Sequence, residues 1–145
     1  SISDGASALI LASESAVQAQ GLKPMAKIVA HARSSRLPAE FTLAPVDAIS
    51  SLLKKTGWSA DDVDLWEINE AFAMVTMLAM KAHGLDHSKV NVHGGACAQG
   101  HPIGSTGSRI IVTLMHAMHH YGKERGVAAL CIGGGEATAV AIEKC

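Results

Sequence analysis

A chain of 145 residues with 48% hydrophobic residues, 17% charged residues and a formal net charge of -1 has room for one domain around one core. Disorder is excluded, because disordered chains are poor in apolar residues and rich in charge. The near-neutral balance also lacks the basic patch of a nucleic-acid binder, and with aromatics at only 3% the core must be built from aliphatic residues, alanine and glycine.

In chain order, residues 5–12 are small and aliphatic and predict a short buried strand, followed by a helix over 13–20 that Gly21 stops. After Pro24, residues 25–32 predict a strand and 33–44 a loop bounded by Pro38 and Pro45. Val46, Ile49, Leu52 and Leu53 recur at helical spacing and predict a helix over 46–55, ended by Gly57. Residues 63–68 predict a strand, 70–83 a helix closed by Gly84, and 90–93 another strand. The glycine-rich stretch 94–107 precedes a helix over 109–121. Two strands, 127–131 and 138–143, flank Gly133-Gly134-Gly135. Strands alternating with helices predict an α/β layered sheet.

Cys97, Cys131 and Cys145 cannot all pair with one another and form no ligand-spaced cluster, so a reduced, cytoplasmic setting is expected. No apolar run approaches the roughly 18 residues that cross a bilayer, so no membrane association is expected. The chain opens Ser1-Ile2-Ser3-Asp4 without a methionine, as an excerpt or processed piece of a longer chain would.

Three blocks put polar chemistry at the carboxyl ends of predicted strands, where open α/β sheets place ligands. In Asn69-Glu70-Ala71-Phe72-Ala73, Asn69 is either a helix N-cap or an amide that orients a water or a carbonyl. In Gly94-Gly95-Ala96-Cys97-Ala98-Gln99-Gly100-His101-Pro102-Ile103-Gly104 the glycines let backbone approach a ligand, and His101 is either structural or catalytic. In Cys131-Ile132-Gly133-Gly134-Gly135, Cys131 is either a core residue or a proton carrier beside bare backbone N–H groups that form an oxyanion hole. Cofactor readings of the glycines fail on spacing. A phosphate loop needs Gly-Lys-Ser/Thr where Gly100-His101-Pro102 stands, and Gly100, Gly104 and Gly107 give GxxxGxxG in place of the dinucleotide fingerprint. His116, His119 and His120 share one helix face at a spacing open to a metal, but no cysteine or carboxylate joins them, and a solvated face with no metal is expected.

Taken together, these blocks resemble, in order and spacing, the three signature blocks in the C-terminal half of thiolases. Ser3-Asp4-Gly5-Ala6-Ser7-Ala8 is similar to the strand that closes the N-terminal half of that family, so residues 1–20 read as the last strand and linker of that half and 21–145 as the C-terminal domain. The resemblance implies a thiolase-like layered fold, a mixed sheet flanked by helices. Within the family, Phe41-Thr42-Leu43-Ala44-Pro45 and Val127-Ala128-Ala129-Leu130 are most similar to acetyl-CoA acetyltransferases. Cys97 and Gln99 depart from the usual GGAIALGHP wording, and Glu136-Ala137 from the usual Met-Gly or Gln-Gly, which bears on acyl-chain preference and leaves the reaction class alone.

The resemblance further implies a reversible Claisen condensation or thiolysis of acetoacetyl-CoA or another 3-ketoacyl-CoA through an acyl-cysteine whose nucleophile lies outside this chain. His101 would take the thiol proton of that nucleophile and donate to a thioester oxygen together with a water held by Asn69. Cys131 would move the α-proton, with its pKa pulled toward working pH, and Gly133 N–H would complete the oxyanion site. Ala71 and Phe72 would line the pantetheine tunnel. Coenzyme A thioesters are the expected substrates, with no separate cofactor. The expected partners are an N-terminal thiolase half and further copies in a homo-oligomer, because the helices over 70–83 and 109–121 are apolar nearly all round. Alternatives are a non-catalytic half-subunit paired with a separate N-terminal chain, or another condensing enzyme of the same fold. The chain alone should be inactive.

Overall fold

The computed structural model describes residues 1–145. Its elements run α1 (Glu14–Gln20), β1 (Ala26–Ser35), α2 (Ala44–Thr56), β2 (Leu65–Ile68), α3 (Ala73–His83), α4 (Ala96–Gln99), α5 (Thr106–Tyr121), β3 (Arg125–Cys131) and β4 (Glu136–Lys144), with single 3-10 turns at Pro38–Glu40, Ala60–Asp62 and His87–Lys89. The four strands form one mixed sheet in the order β1-β4-β3-β2. β2 and β3 are parallel, and the other two pairings are antiparallel.

Sequence alternation sorts this sheet into two cores. On β3, Val127 and Ala129 point into a core of 14 buried residues that includes Ala48, Ile49 and Leu52 of α2 and Ala79 of α3. Ala128 points the other way, into a second core of 7 buried residues under Ile110, Leu114, Ala117 and Met118 of α5. The result is helix, sheet, helix. α2 forms where its spacing predicts, with Pro45 in the first turn, where its missing N–H costs nothing, Asp47 near the N-terminus, Lys54 and Lys55 near the C-terminus, and Gly57 as the left-handed cap. α5 has a polar face carrying the exposed His116, His119 and His120, so of the two helices expected to be apolar all round only α3 leaves internal bulky side chains bare, Met74 and Met77.

Several expectations are corrected. Residues 5–12 are not a strand: only Ile2 bridges a neighbour, His101, and Ile10 and Leu11 stand exposed. A strand exists through its ladder, and neither sheet edge runs beside this segment. The expected strand over 90–93 reduces to a single parallel bridge from Val90 to Trp66, because Asn91, at φ 49°, turns the chain out of line. Residues 33–35, expected as loop, extend β1 by pairing with Thr138, Ala137 and Glu136. The glycine-rich stretch contains α4 and the start of α5. Asn69 caps no helix, since α3 starts four residues later with Phe72 at the N-cap position.

The β3–β4 hairpin turns through three glycines that are not equivalent. Gly135 has φ +100°, and a Cβ there would overlap the Arg36 carbonyl; at Gly133 φ lies outside the left-handed region, and an added Cβ would meet nothing within 4 Å. Gly135→Ala should therefore destabilise the fold by about 2 kcal/mol or more, while Gly133→Ala changes stability by less than about 0.5 kcal/mol. Urea denaturation midpoints check this, and equal losses for the two variants would contradict it.

Candidate active site

Asn69 follows directly on β2. Its N–H donates to Ala129 O at 2.9 Å, which continues the parallel ladder, and its side chain is buried at 1% exposure. Arg109 Nη2 donates to Asn69 Oδ1 at 3.4 Å. A guanidinium only donates, so Oδ1 must face it and the amide nitrogen must turn away. That Nδ2 is buried and has no partner in the chain. It is a donor held ready for an acceptor, which favours the amide-orienting reading over the N-cap.

Two residues back on the same face of β2, Glu67 Oε2 lies 3.7 Å from Arg109 Nη1, and its other oxygen has no partner. Burial pushes the Glu67 carboxyl up to about 7; Arg109 opposes the shift, and Glu70 adds to it. Ile68, between Glu67 and Asn69, is clamped from the opposite side. Asn91 Oδ1 accepts from Ile68 N–H at 2.8 Å, and Asn91 Nδ2 and Thr76 Oγ1 both donate to Ile68 O. Glu70 then ties this clamp to the glycine-rich loop, accepting from Asn91 Nδ2 at 3.3 Å and from Cys97 N–H at 2.8 Å.

His101 is fixed from below by the first turn of α5. Thr106 Oγ1 donates its one proton to Pro102 O at 3.0 Å and meets His101 Nδ1 at 2.7 Å. Toward the imidazole the hydroxyl can only accept, so Nδ1 carries the ring proton and Nε2 is left as a bare lone pair. Burial, followed by the nearby Arg109 charge, holds the His101 pKa below its ordinary value. A neutral imidazole with a free Nε2 is the form that accepts a proton.

Cys131 ends β3 opposite Ala137 and is 9% exposed. Burial pushes its thiol pKa up, against a smaller opposing backbone hydrogen bond, which is the reverse of the downward pull expected from sequence. No hydrogen bond joins Cys131 to His101 or Asn69 within this chain. The register sets their common address: Ile68 pairs with Ala129 in the parallel ladder, so Asn69 and Cys131 leave the same end of the sheet. Gly107, in the first turn of α5, lies against Leu130, which brings the Thr106 and His101 end of α5 to that edge. Gly133 N–H, just beyond Cys131, donates to no group of the chain. Ala71 is half-buried, and Phe72 is 60% exposed with its ring edge-on to Phe41 at 6.0 Å, an apolar rim beside the end of β2.

Sequence reasoning missed Glu67, Glu70, Asn91, Thr106 and Arg109. A signal existed for Glu67, a lone carboxylate in the otherwise apolar strand Leu65-Trp66-Glu67-Ile68. None existed for Asn91, whose role depends on a positive φ. The histidines of α5 do not converge: His119 Nε2 is hydrogen-bonded to Met25 O at 2.9 Å, His120 packs edge-on against Tyr121, and no group of three His, Cys, Asp or Glu side chains is placed to hold a metal ion.

Because the Glu67 pKa lies higher in the fold than in the unfolded chain, its protonated form is the stabilising one. That stability is present in full below about pH 4.5 and is lost as pH rises through about 7. The stability of Glu67→Gln relative to the native chain should rise by about 3 kcal/mol between pH 4 and pH 8. Urea titrations at the two pH values measure it, and a difference independent of pH would contradict the assignment.

Known proteins share this outline. The family model described as thiolase, C-terminal domain, matches residues 22–144. A probable acetyl-CoA acetyltransferase of Dictyostelium discoideum is 50% identical over 143 residues, covering 99% of this chain and 34% of that protein. A cytosolic acetyl-CoA acetyltransferase of Mus musculus is 46% identical over the same length, covering 99% of this chain and 36% of that protein. Among solved structures, a thiolase from Ascaris suum in complex with coenzyme A superimposes with a TM-score of 0.88 at 46% identity, over 92% of this chain and 35% of that one. The chain thus spans about a third of the length of the relatives it matches. With the sheet order, the three signature blocks and this match in agreement, the chain belongs to the thiolase family, of which it carries the C-terminal domain.

Proposed function

We propose that this domain supplies the proton-transfer and oxyanion-binding groups of an acetyl-CoA acetyltransferase, which cleaves or forms acetoacetyl-CoA or another short 3-ketoacyl-CoA. The observation that carries the reading is the His101–Thr106 pair, which leaves a neutral imidazole with a bare Nε2 at the sheet end where the buried, unpartnered Asn69 Nδ2 also lies. The nucleophilic cysteine belongs to the part of the protein outside this chain.

In thiolysis, His101 Nε2 takes the proton of that nucleophile, whose sulfur attacks the 3-keto carbon. The carbon–carbon bond then breaks, and its electron pair becomes the enolate of acetyl-CoA. Negative charge gathers on the enolate oxygen, where protonated His101 and a water held by Asn69 Nδ2 donate to it. Cys131 delivers its thiol proton to the enolate carbon, and a thiol kept protonated by burial is the form this step needs. Coenzyme A then takes the acyl group from the enzyme: its thiol proton passes to the Cys131 thiolate, its sulfur attacks the acyl carbon, and His101 returns its proton to the released nucleophile. Condensation runs the same steps backwards, with the Cys131 thiolate removing the α-proton. Gly133 N–H serves the oxyanion of the acyl-enzyme, and Ala71 and Phe72 contact the pantetheine arm.

Coenzyme A thioesters are the substrates in this reading, and no separate cofactor or metal takes part. The partner is an N-terminal thiolase half, and the assembled subunits form a homo-oligomer; the bare side chains of Ile10, Leu11, Met74, Met77 and Ile132 support a covering partner. A cytoplasmic setting is supported by three unpaired cysteines and by the mouse relative's name.

In the complete protein, Cys131→Ser should leave acylation of the nucleophile intact while lowering exchange of acetyl-CoA α-protons by roughly 100-fold or more, because a hydroxyl is a far weaker proton carrier than a thiol. His101→Ala should damage both half-reactions. Burst acylation with a labelled thioester and deuterium exchange read the two separately. If Cys131→Ser loses both equally while remaining folded, the division of roles is wrong.

A further inference from the structure

Both hydrogen-bonding groups of the His101 peptide are taken by one segment at the start of the chain. His101 N–H donates to Ser1 O at 2.8 Å, and Ser3 N–H donates to His101 O at 3.4 Å, so Ile2 forms a one-residue parallel bridge with His101. The segment then runs so close to the next residue that a Cβ on Gly5 would sit 2.7 Å from Pro102 Cβ. On the other side of His101, a Cβ on Gly100 would overlap the Ser3 hydroxyl.

Farther along, Ser7 Oγ meets Ser105 Oγ and Ser108 Oγ, each at 2.6 Å. Ser108 Oγ donates to Ser105 O at 3.1 Å. Ser7 Oγ also donates to Ser105 O at 3.2 Å, so that one carbonyl and three hydroxyls form a single cluster around Ser7. Ser105 is the N-cap residue of α5 and is followed by Thr106, whose hydroxyl holds His101 Nδ1. The segment thus grips the loop at His101, at Pro102 and at the start of α5. Apolar burial does not account for this seat, since Ile2 remains 79% exposed.

We propose that residues 1–7 are a positioning segment for His101, in which Gly5 and Ser7 set the His101-Pro102 loop against the first turn of α5 so that the Thr106 hydroxyl meets Nδ1. The proposal rests on the reading of His101 as the base. Misplacing a catalytic group by about 1 Å can cost roughly 100-fold in rate, so a contact far from the reacting atoms acts through geometry alone.

The test uses the complete protein with Gly5→Ala, Ser7→Ala and the conservative Ser7→Thr. Gly5→Ala and Ser7→Ala should lower kcat for thiolysis roughly 10- to 100-fold with KM unchanged, and Ser7→Thr should restore most of it. Nitrogen NMR of labelled histidine should show His101 moving from a single Nδ1–H tautomer to a mixture in the two damaging variants. Folded variants that keep both kcat and the tautomer, even with lower thermal stability, would overturn the proposal. Should Gly5→Ala fail to fold, the Ser7 pair decides. A native protein without thiolysis would defeat the functional reading, whereas the tautomer in the variants would still decide this one.

Discussion

Arg109 brings a guanidinium into the layer between α5 and the sheet, where only a 3.4 Å hydrogen bond to Asn69 and a 3.7 Å approach to Glu67 compensate it. Its Nε and Nη1 have no hydrogen bond at all. Burying a charge so thinly paired costs several kcal/mol, which a purely structural position would avoid with a leucine. What the charge does explains its presence. It fixes which way the Asn69 amide points, it opposes the neutralisation of Glu67, and it disfavours a proton on His101. One cation therefore acts on an amide and a carboxyl at the end of β2 and on an imidazole from the glycine-rich stretch.

The parallel pairing of β2 with β3 makes that meeting possible. Parallel neighbours cannot be joined by a tight hairpin, so the chain must cross over between them, and here the crossover carries α3, the glycine-rich loop and α5. Both strands then end at the same edge, and α5 returns with its first turn over that edge. The hairpin after β3 adds its own free N–H at Gly133. Glycine at 135 is demanded by the backbone, whereas glycine at 133 is demanded by nothing within the chain.

Much of this was legible in the sequence. Helices expected over 46–55, 70–83 and 109–121 lie within a few residues of α2, α3 and α5, closing glycines marked the ends of the first two, and the order of the three signature blocks pointed to the family. The failures share one cause, which is pairing at a distance. The aliphatic run at 5–12 has strand composition but no ladder, residues 33–35 become strand only because β4 lies beside them, and Val90 has room for a single bridge before Asn91 turns. At the site, residue types were legible where they stand in a motif, as at Asn69, His101 and Cys131. Arg109 and Thr106 act through contacts with residues 40 and 5 positions away, and neither stands in one of the three signature blocks. The direction of the Cys131 pKa was likewise a matter of burial, which composition does not report.

The central claim is that His101 Nε2, Asn69 Nδ2 and Cys131 Sγ serve one small substrate group at the carboxyl end of the parallel strands. A crystal structure of the complete protein with acetyl-CoA tests it most directly. The account predicts the acetyl oxygen within about 3 Å of His101 Nε2 and of a water held by Asn69, with the acetyl methyl carbon facing Cys131 Sγ. An acetyl group bound away from that edge, or one that leaves the Asn69 amide without any acceptor, would contradict it.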